Sequence, residues 1–186
     1  MDLHQAVLTR RTIQRYDGTP VARDALDRAL EAAHHAPCHK LTWPWRFTVL
    51  GPEGRRFLVD LAVRLNQAKK KDRPPEQVEA TVRGRLGSAG TLVVVSQVLA
   101  ADAFRREEDY AATACAIQNL CLSLHASGYG SKWSTGGFTR HPEAYAHLQL
   151  DPELERIVGV VLAGRPACEV NAPPRPEVGL VVRHTA

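Results

Sequence analysis

The chain has 186 residues, a length that suits one domain or one subunit of an oligomer. Apolar residues at 44% and charged residues at 24% are the composition of a soluble globular protein. The net charge of +4 suits a small anionic ligand, but no basic stripe interleaved with aromatics is present and no apolar run reaches membrane-spanning length, so neither nucleic acid nor membrane is expected as a partner.

Leu3, Ala6 and Val7 recur at helical spacing and predict a short amphipathic helix from Asp2 to Thr9. Arg10-Arg11-Thr12-Ile13-Gln14-Arg15-Tyr16-Asp17 follows and puts three arginines into six positions. Two readings are open for this stretch. Cations are favourable at any helix C-terminus, so it can be a plain helix exit. Alternatively, guanidinium forks beside a hydroxyl and an amide make an anion cradle. Gly18-Thr19-Pro20 is a turn, and Leu26, Ala29, Leu30 and Ala33 predict a second helix from Arg23 to His35, stopped by Pro37. An irregular loop from Pro37 to Trp45 holds two prolines and two tryptophans. Arg46–Leu50 reads as a strand, and Phe57, Leu58, Leu61, Ala62 and Leu65 mark a third helix.

Lys69 to Pro75 is charged, contains proline and is expected to be a loose, mobile excursion before a weaker helix from Glu76 to Leu86. Thr91–Ser96 is a β-branched run, as for a strand buried on both faces. Glu107 to Ser127 is the longest helical stretch, apolar on almost every side between Ala112 and Leu124 and capped by Gly128. Cys115 and Cys121 within it are expected as core thiols. With no Cys-x-x-Cys pair among four cysteines, a zinc or dithiol site is not expected, and reduced thiols point to the cytoplasm. A short helix from Pro142 to Leu148 and a buried strand from Ile157 to Ala163 follow. The proline-rich tail from Val170 ends in Val178-Gly179-Leu180-Val181-Val182, which reads as a strand packed at a distance on a partner subunit. The alternation of strands and helices indicates a single α+β or α/β sheet domain of residues 1–186, with an arm at 170–186 and a homodimer as the assembly.

No His-Glu-x-x-His, no Gly-x-Ser-x-Gly, no Gly-x-Gly-x-x-Gly and no Walker sequence occurs, so no metal and no acid–base or nucleophilic side chain is expected. What remains is cofactor binding without a glycine fingerprint. The parts suit FMN: arginines for a phosphate, a Pro-Trp loop to wall a flat ring, and Gly136-Gly137 to bring backbone N–H close to the ring's N5.

The ordered set Arg10-Arg11-Thr12-x-x-Arg15-Tyr16-Asp17, Ala36-Pro37, Pro44-Trp45-Arg46-Phe47, Gly136-Gly137-Phe138 and Gly164-Arg165-Pro166 resembles the FMN-dependent nitroreductase family, in its compact subgroup, over essentially the whole chain. The resemblance implies a three-layer α/β/α fold with a central mixed, mostly antiparallel sheet and a C-terminal arm swapped between the subunits of a homodimer. It implies FMN as cofactor, NADH or NADPH as reductant, and ping-pong hydride transfer to a nitroaromatic, quinone or similar small-molecule acceptor. It places Arg10, Arg11 and Thr12 in the first FMN-contacting segment, with Arg10 at the phosphate, and Gln14 at a position near the flavin pyrimidine edge that relatives often fill with lysine. His35 and His39 are implied to reach the FMN of the other subunit. Trp133, Ser134 and Thr135 are implied along the flavin, Gly136 near N5 through its backbone, and Arg175 at the phosphate. Leu41 and Trp43 depart from the polar residues many relatives carry in their loop. Two other readings stay open: a family member with different flavin chemistry, such as dehydrogenation or flavin breakdown, and a flavin-binding sensor or carrier without turnover.

Overall fold

A computed structural model describes residues 1–185. Among them, six α-helices and four strands follow in the order α1 (Leu3–Thr9), α2 (Arg23–His34), β1 (Trp45–Val49), α3 (Pro52–Lys69), α4 (Pro75–Val82), β2 (Thr91–Val98), α5 (Ala103–Ala126), β3 (Gly130–Ser134), α6 (Pro142–Leu148) and β4 (Glu155–Gly164). The strands lie in the order β1-β2-β4-β3, and every neighbouring pair is antiparallel. One parallel bridge, Thr12 to Ser131, adds the arginine segment to the outer edge of β3.

The centre of the sheet is the β-branched pair β2 and β4, whose side chains alternate between two cores. Leu92, Val94, Val160 and Leu162 pack with Leu58 and Leu61 of α3 and with Val78 of α4. Val93, Val95 and Val161 pack with Ala29 and Ala33 of α2 and with Leu120 and Leu124 of α5. Helices cover both faces, and the fold is the three-layer α+β arrangement that the family resemblance implies. No described helix is long and apolar enough to cross a membrane.

The structure departs from the sequence-based expectation in five places. β3 is a strand that no local pattern announces. α5 begins at Ala103 instead of Glu107, because the Asp102 carboxylate accepts the Arg105 N–H at 2.8 Å and caps the first turn. Cys121 is buried as expected, but Cys115 is exposed. It falls outside the stripe Ala112–Ala116–Leu120–Leu124 that faces the core, so α5 is buried on one flank of this chain and bare on the other. The link between α3 and α4 is a short hydrogen-bonded turn instead of a loose excursion: Gln67 Nε2 donates to the Pro75 carbonyl at 3.0 Å and Arg73 N to that of Lys70 at 3.2 Å. Finally, Val178–Leu180 forms a single 3-10 turn and not a strand. A strand needs a neighbouring edge, and among the described residues of one chain this segment pairs with none; Val178, Leu180 and Val181 are each more than 70% exposed.

Candidate functional site

The arginine segment is laid along β3 and the residues after β4. Ile13 N donates to the Ser131 carbonyl, Asp17 N to that of Arg165 and Ala167 N to that of Arg15, each at 3.1 Å. Ile13 and Tyr16 turn inward; the Tyr16 hydroxyl donates toward the Ile13 and Leu162 carbonyls at 3.2 Å, and burial pushes its ionisation far above the ordinary phenol range. Gly130 makes this docking possible: a Cβ there would sit 2.5 Å from Cγ1 of Ile13.

The two leading arginines part company. Arg11 folds back, and its guanidinium donates to the carbonyls of Leu8 at 2.7 Å and Arg10 at 2.8 Å, closing the C-terminus of α1. Arg10 makes no side-chain hydrogen bond or ion pair among the described residues. Both line an open groove of about 640 Å³ with Ser131, His125 and the tail from Cys168 to Asn171. His125 accepts from or donates to the Thr9 hydroxyl at 2.8 Å; burial first, then Arg10 and Arg11, hold its pKa below the usual histidine value.

On the opposite face of β3 lies a second, smaller cavity of about 220 Å³. Lys132 is its centre, half-buried, with its ammonium donating to Oε1 of Gln14 at 2.8 Å. Arg85 and Lys70 line the same cavity with Asn66, Ser134 and the backbone of Gly136, and no carboxylate of the described residues lines it. Burial, with Arg85 adding to it, lowers the Lys132 pKa. At Gly136 a Cβ would strike the Phe138 ring at 2.7 Å, so only glycine leaves the backbone clear there.

Strand alternation separates residues that are contiguous in sequence. Ser134 and Gly136 face the Lys132 cavity, whereas Trp133 packs on the α2/α5 core and Thr135 lines a different, larger cavity of about 1120 Å³ with Arg106, Arg140 and Arg156. The Trp133 indole N–H is buried with no hydrogen-bond acceptor among the described residues. His35 is exposed in a separate groove beside Leu3 and Asn119, and His39 lies 3.9 Å from a Glu108 carboxylate oxygen. Arg175 is exposed and does not line the Arg10 groove. The Pro-Trp loop splits as well. Trp45 is core, donating its indole N–H to His34 Nδ1 at 3.2 Å, while Leu41 and Trp43 are exposed on a left-handed backbone that also includes Lys40. Cys38 Sγ accepts the Trp43 N–H at 3.2 Å and Thr42 donates to buried Asp109 at 2.6 Å, which fixes that presentation.

Lys132, Arg85 and Lys70 are functional candidates that the sequence motifs do not pick out. Lys132 carries a mark only once β3 is known to be a strand, where it must face away from its neighbour Trp133. Arg85 and Lys70 carry no such local mark.

Residues 7–165 match the model of the Nitroreductase family. A Bacillus subtilis (strain 168) protein named "Putative NAD(P)H nitroreductase YfhC" is 30% identical over 166 residues, spanning 88% of this chain and 84% of the relative. The nitroreductase-like family protein from Bacillus cereus superposes with a TM-score of 0.83 at 25% identity, covering 100% of this chain and 96% of that one. A Desulfovibrio desulfuricans structure solved in complex with FMN gives a TM-score of 0.75 at 25% identity, covering 100% of this chain and 98% of that one. With the motif order, the α/β/α architecture and the family match agreeing over most of its length, the chain belongs to the nitroreductase family.

Proposed function

We propose that this protein is an FMN-dependent NAD(P)H oxidoreductase, active as a homodimer and passing electrons to a small-molecule acceptor. The observation that carries the reading is the acid-free cavity holding Lys132, Arg85 and Lys70 beside the bare backbone of Gly136, next to the Arg10 groove across β3. Its donors are what an anionic, edge-polar cofactor needs. When bound, the flavin supplies hydride acceptance and donation at its N5.

The chain's own residues have binding and positioning roles. Arg10 and Thr12, with the groove around Ser131, hold the phosphate. Gly136 presents backbone N–H where a larger residue would close the space. Gln14, Ser134 and Asn66 offer neutral hydrogen bonds to the ring edge. His35, His39 and Trp133 keep their places as flavin-contacting candidates, the histidines toward the partner's cofactor, and Arg175 reaches a phosphate only if the arm is seated on a second copy. A second copy is favoured by where this chain leaves apolar side chains bare: Leu3, Val7 and Leu8 on α1, Leu41 and Trp43 on the loop, and Val178, Leu180 and Val181 on the arm. In that assembly the C-terminal arm crosses to the partner.

The test is the absorbance spectrum of purified protein before and after anaerobic NADH or NADPH. A yellow protein bleached by either nucleotide is the expected result. Protein that stays colourless after incubation with FMN sinks the reading, and a flavin that neither nucleotide reduces moves it toward other flavin chemistry.

A further inference from the structure

Resting on the flavin reading, we infer that Lys132 holds an anionic oxygen group of the bound cofactor in the cavity on the α3 side of β3, with the Gln14 amide as its positioning residue.

The charge around Lys132 is unbalanced. An ammonium has three N–H donors, and among the described residues only one partner for them is present, the neutral Gln14 oxygen at 2.8 Å. Lys132 has no carboxylate within ion-pair reach among the described residues. Its two charged neighbours in the cavity, Arg85 and Lys70, have the same sign, and neither makes a side-chain hydrogen bond or ion pair among the described residues. Burying a cation without a counter-charge is unfavourable for the protein alone. Low-dielectric walls and like charges focus a positive potential in such a cleft. At about 220 Å³ the cavity takes one phosphate, or the anionic edge of a ring, and not a whole nucleotide. The Gln14 amide nitrogen remains available to donate to the same group while its oxygen fixes the ammonium. The site is also distinct from the Arg10 groove: Ser131 lines that groove and Lys132 this cavity, as adjacent strand residues must.

The experiment compares the wild type with Lys132→Met, Lys132→Arg and Gln14→Leu, reading flavin fluorescence quenching with FMN and with riboflavin, the reduction potential of the bound flavin, and thermal unfolding of apoprotein. Lys132→Met is expected to weaken FMN binding about tenfold, the loss of one charged hydrogen bond. It is also expected to make the flavin potential more negative, without lowering the apoprotein Tm. Lys132→Arg is expected to restore most of the affinity, and Gln14→Leu to fall between. If riboflavin loses the same factor, the group is the ring edge, as the placing of the single phosphate at Arg10 requires; if riboflavin is unaffected, the group is the phosphate and the Arg10 groove does not hold it. Unchanged affinity and potential in Lys132→Met, with FMN bound normally by the wild type, overturns the inference and leaves the flavin reading intact. Should the wild type bind neither flavin, the flavin reading falls. Inorganic phosphate then decides: protection against heat in the wild type that Lys132→Met lacks supports the cavity as an anion site, and protection that is absent or equal in both overturns it.

Discussion

On one side of β3 the arginines come from a single contiguous segment, and one of them, Arg11, is engaged by the carbonyls of its own helix. On the other side the cations Lys70, Arg85 and Lys132 arrive from three separate segments, and none is paired with a carboxylate of the described residues. The contiguous cluster announces itself in sequence yet is partly structural. The assembled cluster is silent in sequence yet wholly uncompensated. Local charge density is therefore a poorer guide to a ligand site than the balance of charge after folding.

Moving β3 itself breaks both sides at once, and this is the largest effect expected. The Trp133 indole lies over Gly159 of β4, where a Cβ would meet the indole nitrogen, the Cδ1 atom at 2.8 Å and the Ser134 carbonyl oxygen at 2.9 Å. Gly159→Val has no room without shifting β3, and a cost of about 2–4 kcal/mol in stability is expected, with loss of flavin retention. Denaturant unfolding followed by tryptophan fluorescence measures it. A variant as stable as the wild type would mean that β3 does not depend on this contact.

The same strand shows why the sequence yields some parts and hides others. β2 and β4 are legible because Thr91–Val95 and Ile157–Ala163 are β-branched runs buried on both faces, a pattern that neither an amphipathic helix nor a loop produces. β3 is Gly-Ser-Lys-Trp-Ser, with little strand propensity of its own. It is a strand because β4 pairs with it and because Ile13 closes over Gly130. Arg10 is legible as part of a motif, whereas the Lys132–Arg85 cluster exists only once α4 and its π turn Arg83–Gly87 pack opposite β3. The exposure of Cys115 is hidden from an apolar count along α5, because a count carries no phase; the stripe through Ala116 and Leu120 does. The apolar end of the tail is legible as sticky but not as a strand or a turn, since pairing is a property of two segments.

The division of labour between the first two arginines is the next effect in size. Arg10→Ala is expected to weaken FMN retention about tenfold, as for one lost charged contact, with an unchanged apoprotein Tm. Arg11→Ala is expected to do the reverse in the main, costing about 1 kcal/mol of stability through the opened end of α1. Flavin fluorescence titration and thermal unfolding on both variants read the two quantities separately. Equal losses of affinity with no change in Tm for either would erase the structural role assigned to Arg11.

The smallest effect sits in the same groove and sharpens what Arg10 does when no ligand is present. His125 occupies the last turn of α5, where a cation is ordinarily favoured by the helix dipole. Burial and the two arginines outweigh that and hold its pKa below the ordinary value. The folded state therefore prefers neutral His125, and this contribution to stability is present above the unfolded-state pKa of about 6.5. It declines as pH falls from there toward the folded-state pKa, because the unfolded chain binds the proton first. Arg10→Ala removes one of the opposing charges, so the His125 pKa is expected to move up toward its ordinary value, narrowing that window. NMR titration of the His125 ring in the two proteins measures the shift. Identical titration curves would mean that Arg10 does not act on His125 and that the groove's potential is set elsewhere.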